Sequence, residues 1–170
     1  MLKTINFSDL TLSPFTAFDK RCMVLSAGDF AKCDWNSMTV SWGFIGTMWN
    51  KPAVQIVVRP QRYTREFLDK HETFTLCSFP EKYRPALQLL GSKSGRNCDK
   101  VAESGLRPTA ASAVAAPIFE EADLVLECRK LFRQTTSGES LLDPSLNAMY
   151  PKNDYHVFYI GEVVAVRKAV

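Results

Sequence analysis

Histidine is scarce in this 170-residue chain: only His71 and His156 occur, neither has a second ligand at metal-binding spacing, and no metal site is expected. The five cysteines (Cys22, Cys33, Cys77, Cys98 and Cys128) are odd in number and contain no C-x-x-C pair. They fit reduced, cytosolic thiols better than a disulfide framework or a zinc site. No G-x-G-x-x-G follows a strand-like run and no G-x-x-x-x-G-K-[ST] occurs, which disfavours a Rossmann dinucleotide site and a P-loop. No G-x-S-x-G turn surrounds Ser41 or Ser94, so a hydrolase has little support. An apolar run of about 18 residues is absent, and the start Met1-Leu2-Lys3-Thr4-Ile5 has no apolar stretch behind its charge. The expectation is a cytoplasmic protein, neither exported nor membrane-bound. Excess charge is also lacking: a net +3 is too small to argue for nucleic acid.

What is present is an ordinary globular composition, 46% hydrophobic and 23% charged, at a length that can bury its own core. Residues 1–170 are therefore expected to form one domain. Strand-like runs dominate: Cys22 to Ala27, Ser37 to Met48, Ala53 to Val58, Thr73 to Phe79, Ala122 to Leu131 and Tyr155 to Val166. They are rich in Val, Ile, Phe and Thr and bounded by turn residues, which predicts a mainly β fold, an antiparallel barrel or sandwich with peripheral helices. Gly161 in the last run predicts a bulge or bend. Short helices are expected from Thr64, with Thr64 as a good N-cap residue; from Pro85 to Leu90, stopping at Gly91; and from Asp99 to Ser104, ending at Gly105. Ala110 to Ala116 reads as a connection closed by Pro117.

The segment Asn36-Ser37-Met38-Thr39-Val40-Ser41-Trp42-Gly43 reads as a strand with two different faces. Alternation puts Met38, Val40, Trp42 and Phe44 toward a core and leaves Thr39, Ser41 and Gly43 for something flat and polar. Downstream, between Arg59 and Lys100, nine basic residues face five acidic ones, an excess larger than that of the whole chain. Within it, Arg62 supplies a fork suited to phosphate, and Thr64 at a helix start supplies a hydroxyl and free backbone N–H groups. Ser92-Lys93-Ser94-Gly95-Arg96 forms a second hydroxylated, basic stretch. Cys98 sits in Arg96-Asn97-Cys98-Asp99-Lys100, an electropositive setting that could lower its thiol pKa, although a buried structural thiol is the plainer reading. A helix terminus contributes only about 0.3–2 kcal/mol to anion binding, whereas micromolar affinity needs about 8. A buried aromatic ring, worth roughly 4–6 kcal/mol, would have to supply much of the rest, with Trp42 or Trp49 nearby.

Four pieces in this order, Asn36 to Trp42, Arg59-Pro60-Gln61-Arg62-Tyr63-Thr64, Ser94-Gly95-Arg96 with Asp99-Lys100, and His156 to Val163, resemble the flavin reductase-like family of FMN-binding split barrels, particularly its flavoredoxin-type members. The resemblance covers about residues 15 to 166. It implies a Greek-key antiparallel barrel, usually a homodimer, with FMN near the subunit interface. By position it implies that Asn36, Met38, Thr39, Val40, Ser41 and Trp42 lie along the ring and ribityl chain. Arg62 and Thr64 would hold the phosphate, Ser94 and Lys100 would make later contacts, and His156 and Phe158 would approach from the last strand. It also implies hydride or electron transfer through FMN, fed by NADH or NADPH or by a redox protein partner. A non-enzymatic electron carrier or flavin-binding module is the alternative, and no side chain is singled out as a catalytic acid or base. Nucleic-acid binding through the basic segment, with Tyr63, Phe67 and Tyr83 as aromatic neighbours, lacks a stacking motif.

Overall fold

The computed structural model of the chain describes residues 2–169. Its strands are β1 (Leu2–Ile5), β2 (Met23–Asp29), β3 (Asp34–Val40), β4 (Gly43–Met48), β5 (Lys51–Val58), β6 (Thr73–Ser78), β7 (Pro108–Thr109), β8 (Ile118–Phe119), β9 (Leu124–Thr135) and β10 (Val157–Ala169). The α-helices are α1 (Thr64–Lys70), α2 (Arg84–Ser92) and α3 (Lys100–Ser104). The main sheet is antiparallel with strand order β3-β2-β6-β9-β10-β5-β4, and β1 pairs with the far end of β10. Only Ser41 and Trp42 separate β3 from β4, and three residue steps span at most about 11 Å. The two ends of the sheet must therefore meet, which rolls it into a barrel. Yet β3 and β4 are not paired with each other, so the barrel is split along that seam.

The sheet's centre is apolar on both faces. In register across β2, β6 and β9, Leu25, Leu76 and Leu126 point into the barrel, while Val24, Cys77 and Val125 point out of it. The outward row is covered by α2 and α3, whose Ala86, Leu87, Leu90 and Val101 are buried against it. β10 bends where its register with β9 shifts between Ile160 and Gly161, as the glycine predicts. A Cβ on Gly161 would stand 2.5 Å from the buried Phe74 ring.

Four local expectations are corrected. The run from Ser37 to Met48 is two strands, not one, because the chain must cross the seam at Ser41-Trp42. Alternation is lost there, so Trp42 and Phe44, expected inside with Met38 and Val40, are 41% and 72% exposed. Helix α2 runs through Gly91 to Ser92 and ends because Lys93 is extended. Helix α1 starts at Thr64, but Tyr63 occupies the N-cap without a side-chain bond, and Thr64 is the first helical residue with its hydroxyl engaged elsewhere. Helix α3 follows its predicted ends: Asp99 accepts from the Ala102 N–H at 3.0 Å, and Gly105 closes it with φ 73°. Residues 110–116 form a connection pinned from below, where fully buried Glu127 accepts from the backbone N–H groups of Ser112 and Ala113 and from the Ser112 hydroxyl.

Candidate functional site

The seam and the surrounding helix ends enclose a cleft in two parts. The first, about 220 Å³, is walled by Met38 to Trp42 on one side and by Val57, Arg59, Arg62 and His156 on the other. The second, about 240 Å³, is lined among others by Met38, Arg62, Thr64, Ser94 and Lys100. They share Met38, Arg59 and Arg62, and jointly they reach the roughly 300–1,000 Å³ of small-molecule sites. Strand β3 ends the sheet, so the edge it turns away from β2 carries unpaired backbone donors and acceptors. That edge is the long wall of the first part.

The second part is built around the C-terminus of α2. Arg62 Nη1 donates to the Gly91 carbonyl at 2.8 Å, and Lys100 Nζ donates to the carbonyls of Leu90 at 2.9 Å and Lys93 at 3.2 Å. A helix C-terminus attracts cations, so the end of α2 draws both side chains to one point. Among the described residues neither forms an ion pair with a carboxylate. Burial, followed by the Arg62 charge, lowers the Lys100 ammonium to about 8. Two close positive charges without a carboxylate partner are a pair that could hold an anion.

Thr64 completes that end. Its Oγ1 accepts from Asn36 Nδ2 at 2.7 Å, and both residues are buried. With one lone pair fixed by Asn36, the hydroxyl keeps its own proton for donation. Asn36 is itself wedged against Gly95, where a Cβ would lie 2.3 Å from Asn36 Oδ1. The segment 92–96 is less free than its composition suggests: Lys93 pairs with Glu103, Arg96 pairs with Glu66, and Ser94 Oγ accepts from the Arg96 N–H at 3.3 Å.

At the opposite end, His156 is buried and its Nδ1 hydrogen-bonds the Tyr150 hydroxyl at 2.8 Å. Its ring centroid lies 5.1 Å from that of Trp42. Burial, then the charges of Arg59 and Arg62, lower it to about 4, so the imidazole is neutral at pH 7. Arg59 organises this corner, pairing with Asp154 at 2.6 Å, donating to the Met149 carbonyl at 2.9 Å and lying 5.1 Å from the Tyr150 ring centre.

The structure thus gathers Met38, Thr39, Val40, Ser41, Trp42, Arg62, Thr64, Ser94, Lys100 and His156 on one cleft. Asn36 stands behind Thr64, and Phe158 lines a neighbouring apolar recess with Trp42, Tyr150 and His156. The Thr39 side chain differs from expectation: its hydroxyl donates to the Leu87 carbonyl at 2.5 Å, which turns it toward α2. Cys98 is not activated, since burial and the Glu103 carboxylate raise its thiol pKa. Trp49 lies at the β4–β5 turn, 6.1 Å from the Phe132 ring, and does not line the cleft. Sequence reading singled out neither Arg59 nor Tyr150 for the site; Arg59 had a signal in the basic cluster, whereas Tyr150 had none. A groove of about 510 Å³ lies beyond Trp42, but it is apolar, lined by Leu10, Leu12, Phe15 and Phe44 with no cation, and does not suit an anion.

Comparison with known proteins identifies the family and the fold. The family model of the flavin reductase like domain matches residues 16–169. No curated protein sequence matches the chain. Among solved structures, an FMN-binding domain of a flavin reductases-like enzyme from Shewanella baltica superposes with a TM-score of 0.71 at 15% identity, over 99% of this chain and 77% of that one. Flavoredoxin of Desulfovibrio vulgaris gives 0.69 at 20% identity, over 97% and 77%. An NADH:FAD oxidoreductase of Streptomyces globisporus gives 0.64 at 17% identity, over 87% and 75%. At these identities the likeness is one of fold: the mainly β, antiparallel split barrel.

Proposed function

Because the chain belongs to the flavin reductase like domain family, we propose that its cleft binds FMN and that the protein is an oxidoreductase drawing hydride from NADH or NADPH. The observation that carries this reading is the convergence of Arg62, Lys100 and the Thr64 hydroxyl at one end of a cleft whose long wall is an unpaired strand edge. FMN fits these residues. Its phosphate dianion would relieve the repulsion between Arg62 and Lys100, with Thr64 and Ser94 supplying neutral hydrogen bonds. The backbone from Met38 to Trp42 would meet the polar rim of the ring. Asn36 orients Thr64, while Trp42, neutral His156 and Phe158 shield the apolar end from water. The bound flavin would supply the hydride and electron chemistry, and the chain's work is to hold and orient it. No side chain is assigned as an acid or base.

The test is spectroscopic. Purified protein should be yellow, and anaerobic NADH or NADPH should bleach it without a second protein; a yellow protein that neither nucleotide bleaches would exclude the nicotinamide-dependent activity. That outcome would favour the second reading, an electron carrier served by a redox protein partner, which the structural likeness to flavoredoxin supports. The working form is taken to be a homodimer. Strand β4 is a free sheet edge without a charged residue and carries exposed Phe44 beside the apolar groove, a surface a second copy would cover. The five free thiols favour the cytosol.

A further inference from the structure

A recess of about 590 Å³ lies against the phosphate end of the cleft and is not used by the flavin reading. The two spaces share Tyr63 and Lys100 in their walls. Flat surfaces line the recess: Trp35 from β3, and the Arg96 guanidinium held 4.6 Å from the Tyr63 ring centre by Glu66 and the Gln61 carbonyl. Such surfaces favour a heteroaromatic base, because indole, phenol and guanidinium planes all stack on one. The carboxylates of Asp34 and Asp99 also line it; Asp34 Oδ2 is taken by Lys70 and His71 and Asp99 Oδ1 by the Ala102 N–H, which leaves each a second oxygen that would repel a bare anion but accept from a ribose hydroxyl or an exocyclic amine. Lys100, a buried cation, stands in the shared wall, where a phosphate would pass.

We infer that this recess takes the adenosine phosphate end of a dinucleotide, reached past Tyr63 from the Lys100 side. The inference rests on the flavin reading of the cleft. Two sources carry that chemistry: FAD occupying the cleft itself, or NADH or NADPH arriving after FMN is in place. The thiols of Cys33 and Cys98 line the recess and report on it, while Cys22, next to the Asp19 carbonyl, lies outside it.

The experiment alkylates the full chain with iodoacetamide and follows each cysteine by peptide mass spectrometry. If FAD is the source, saturating FAD slows labelling of Cys33 and Cys98 about tenfold relative to saturating FMN and leaves Cys22 unchanged. If the nicotinamide dinucleotide is the source, NADH or NADPH added to FMN-loaded protein gives the same pattern and FAD alone does not. Labelling unaltered by any dinucleotide, while FMN still binds by fluorescence titration, overturns the inference and leaves the flavin site standing; equal slowing at Cys22 also overturns it. Failure of both flavins to bind sinks the flavin reading and the inference together. A Trp35→Leu variant gives an independent check: about tenfold weaker binding of the protecting dinucleotide with FMN affinity unchanged supports the recess, and unchanged dinucleotide binding or equal loss of both removes it.

Discussion

Arg62, Thr64 and Lys100 show how much chemistry three residues draw from their neighbours. A charge-assisted hydrogen bond is worth about 1.5–3 kcal/mol, so Arg62→Ala should weaken FMN binding roughly ten- to a hundredfold, measured by fluorescence titration. Thr64→Ala should weaken it too, and Thr64→Ser should restore most of the loss, because serine keeps the hydroxyl that Asn36 orients. Lys100 adds a dependence on pH. Its folded-state value of about 8 lies below the ordinary 10.5, so the unfolded chain holds more protons between them. Flavin-free protein should therefore gain stability as pH rises from 8 to 10.5, while FMN affinity falls as the ammonium is lost. Lys100→Met should flatten both trends in denaturation and titration series. His156 acts at lower pH with the same sign: held near 4 against an ordinary 6.5, it costs stability as pH falls through that window. His156→Gln should flatten that limb.

At the scale of elements, the regular parts of the chain declare themselves and the interruptions do not. Strands β2, β6 and β9 are legible because their inward and outward rows are both apolar, and α3 is legible because Asp99 and Gly105 mark its ends. Gly161 was legible as a bend, and the Phe74 ring behind it gives the physical reason. Gly161→Val should lower stability by about 1–3 kcal/mol, read as a reduced denaturation midpoint. The break at Ser41-Trp42 was hidden, because strand alternation says nothing about where a sheet must close on itself. The Glu127 anchor was hidden as well, since a lone glutamate in an apolar strand gives no sign of the loop that will cover it. Glu127→Ala removes the acceptor that holds the Ser112 and Ala113 N–H groups and the Ser112 hydroxyl, and should cost about 1–3 kcal/mol. Proteolysis should then begin within residues 110–116.

For the molecule as a whole, the open seam leaves β3 and β4 as sheet ends, and the two ends have different surroundings. β3 presents its free edge to a polar cleft, whereas β4 presents an uncharged edge beside an apolar groove. If β4 meets a second copy, Phe44→Glu should shift the protein from dimer to monomer in sedimentation velocity without unfolding it, since Phe44 is 72% exposed in the single chain. A monomeric wild type would remove that assembly. Among the described residues no helix is long and apolar enough to cross a membrane, and no group of three metal-ligating side chains forms.

The sequence by itself determined the β-rich class, the short helices and the pairing of a two-faced strand with a basic, hydroxylated segment, because local periodicity, capping and charge are written in neighbouring residues. Tertiary structure decided what those residues face. Rolling the sheet took Trp42 out of the core and put it beside His156, turned Thr39 toward α2, and aimed Arg62 and Lys100 at the end of the same helix. These arrangements join residues far apart in the chain through barrel closure and helix-end electrostatics, and no local pattern encodes either.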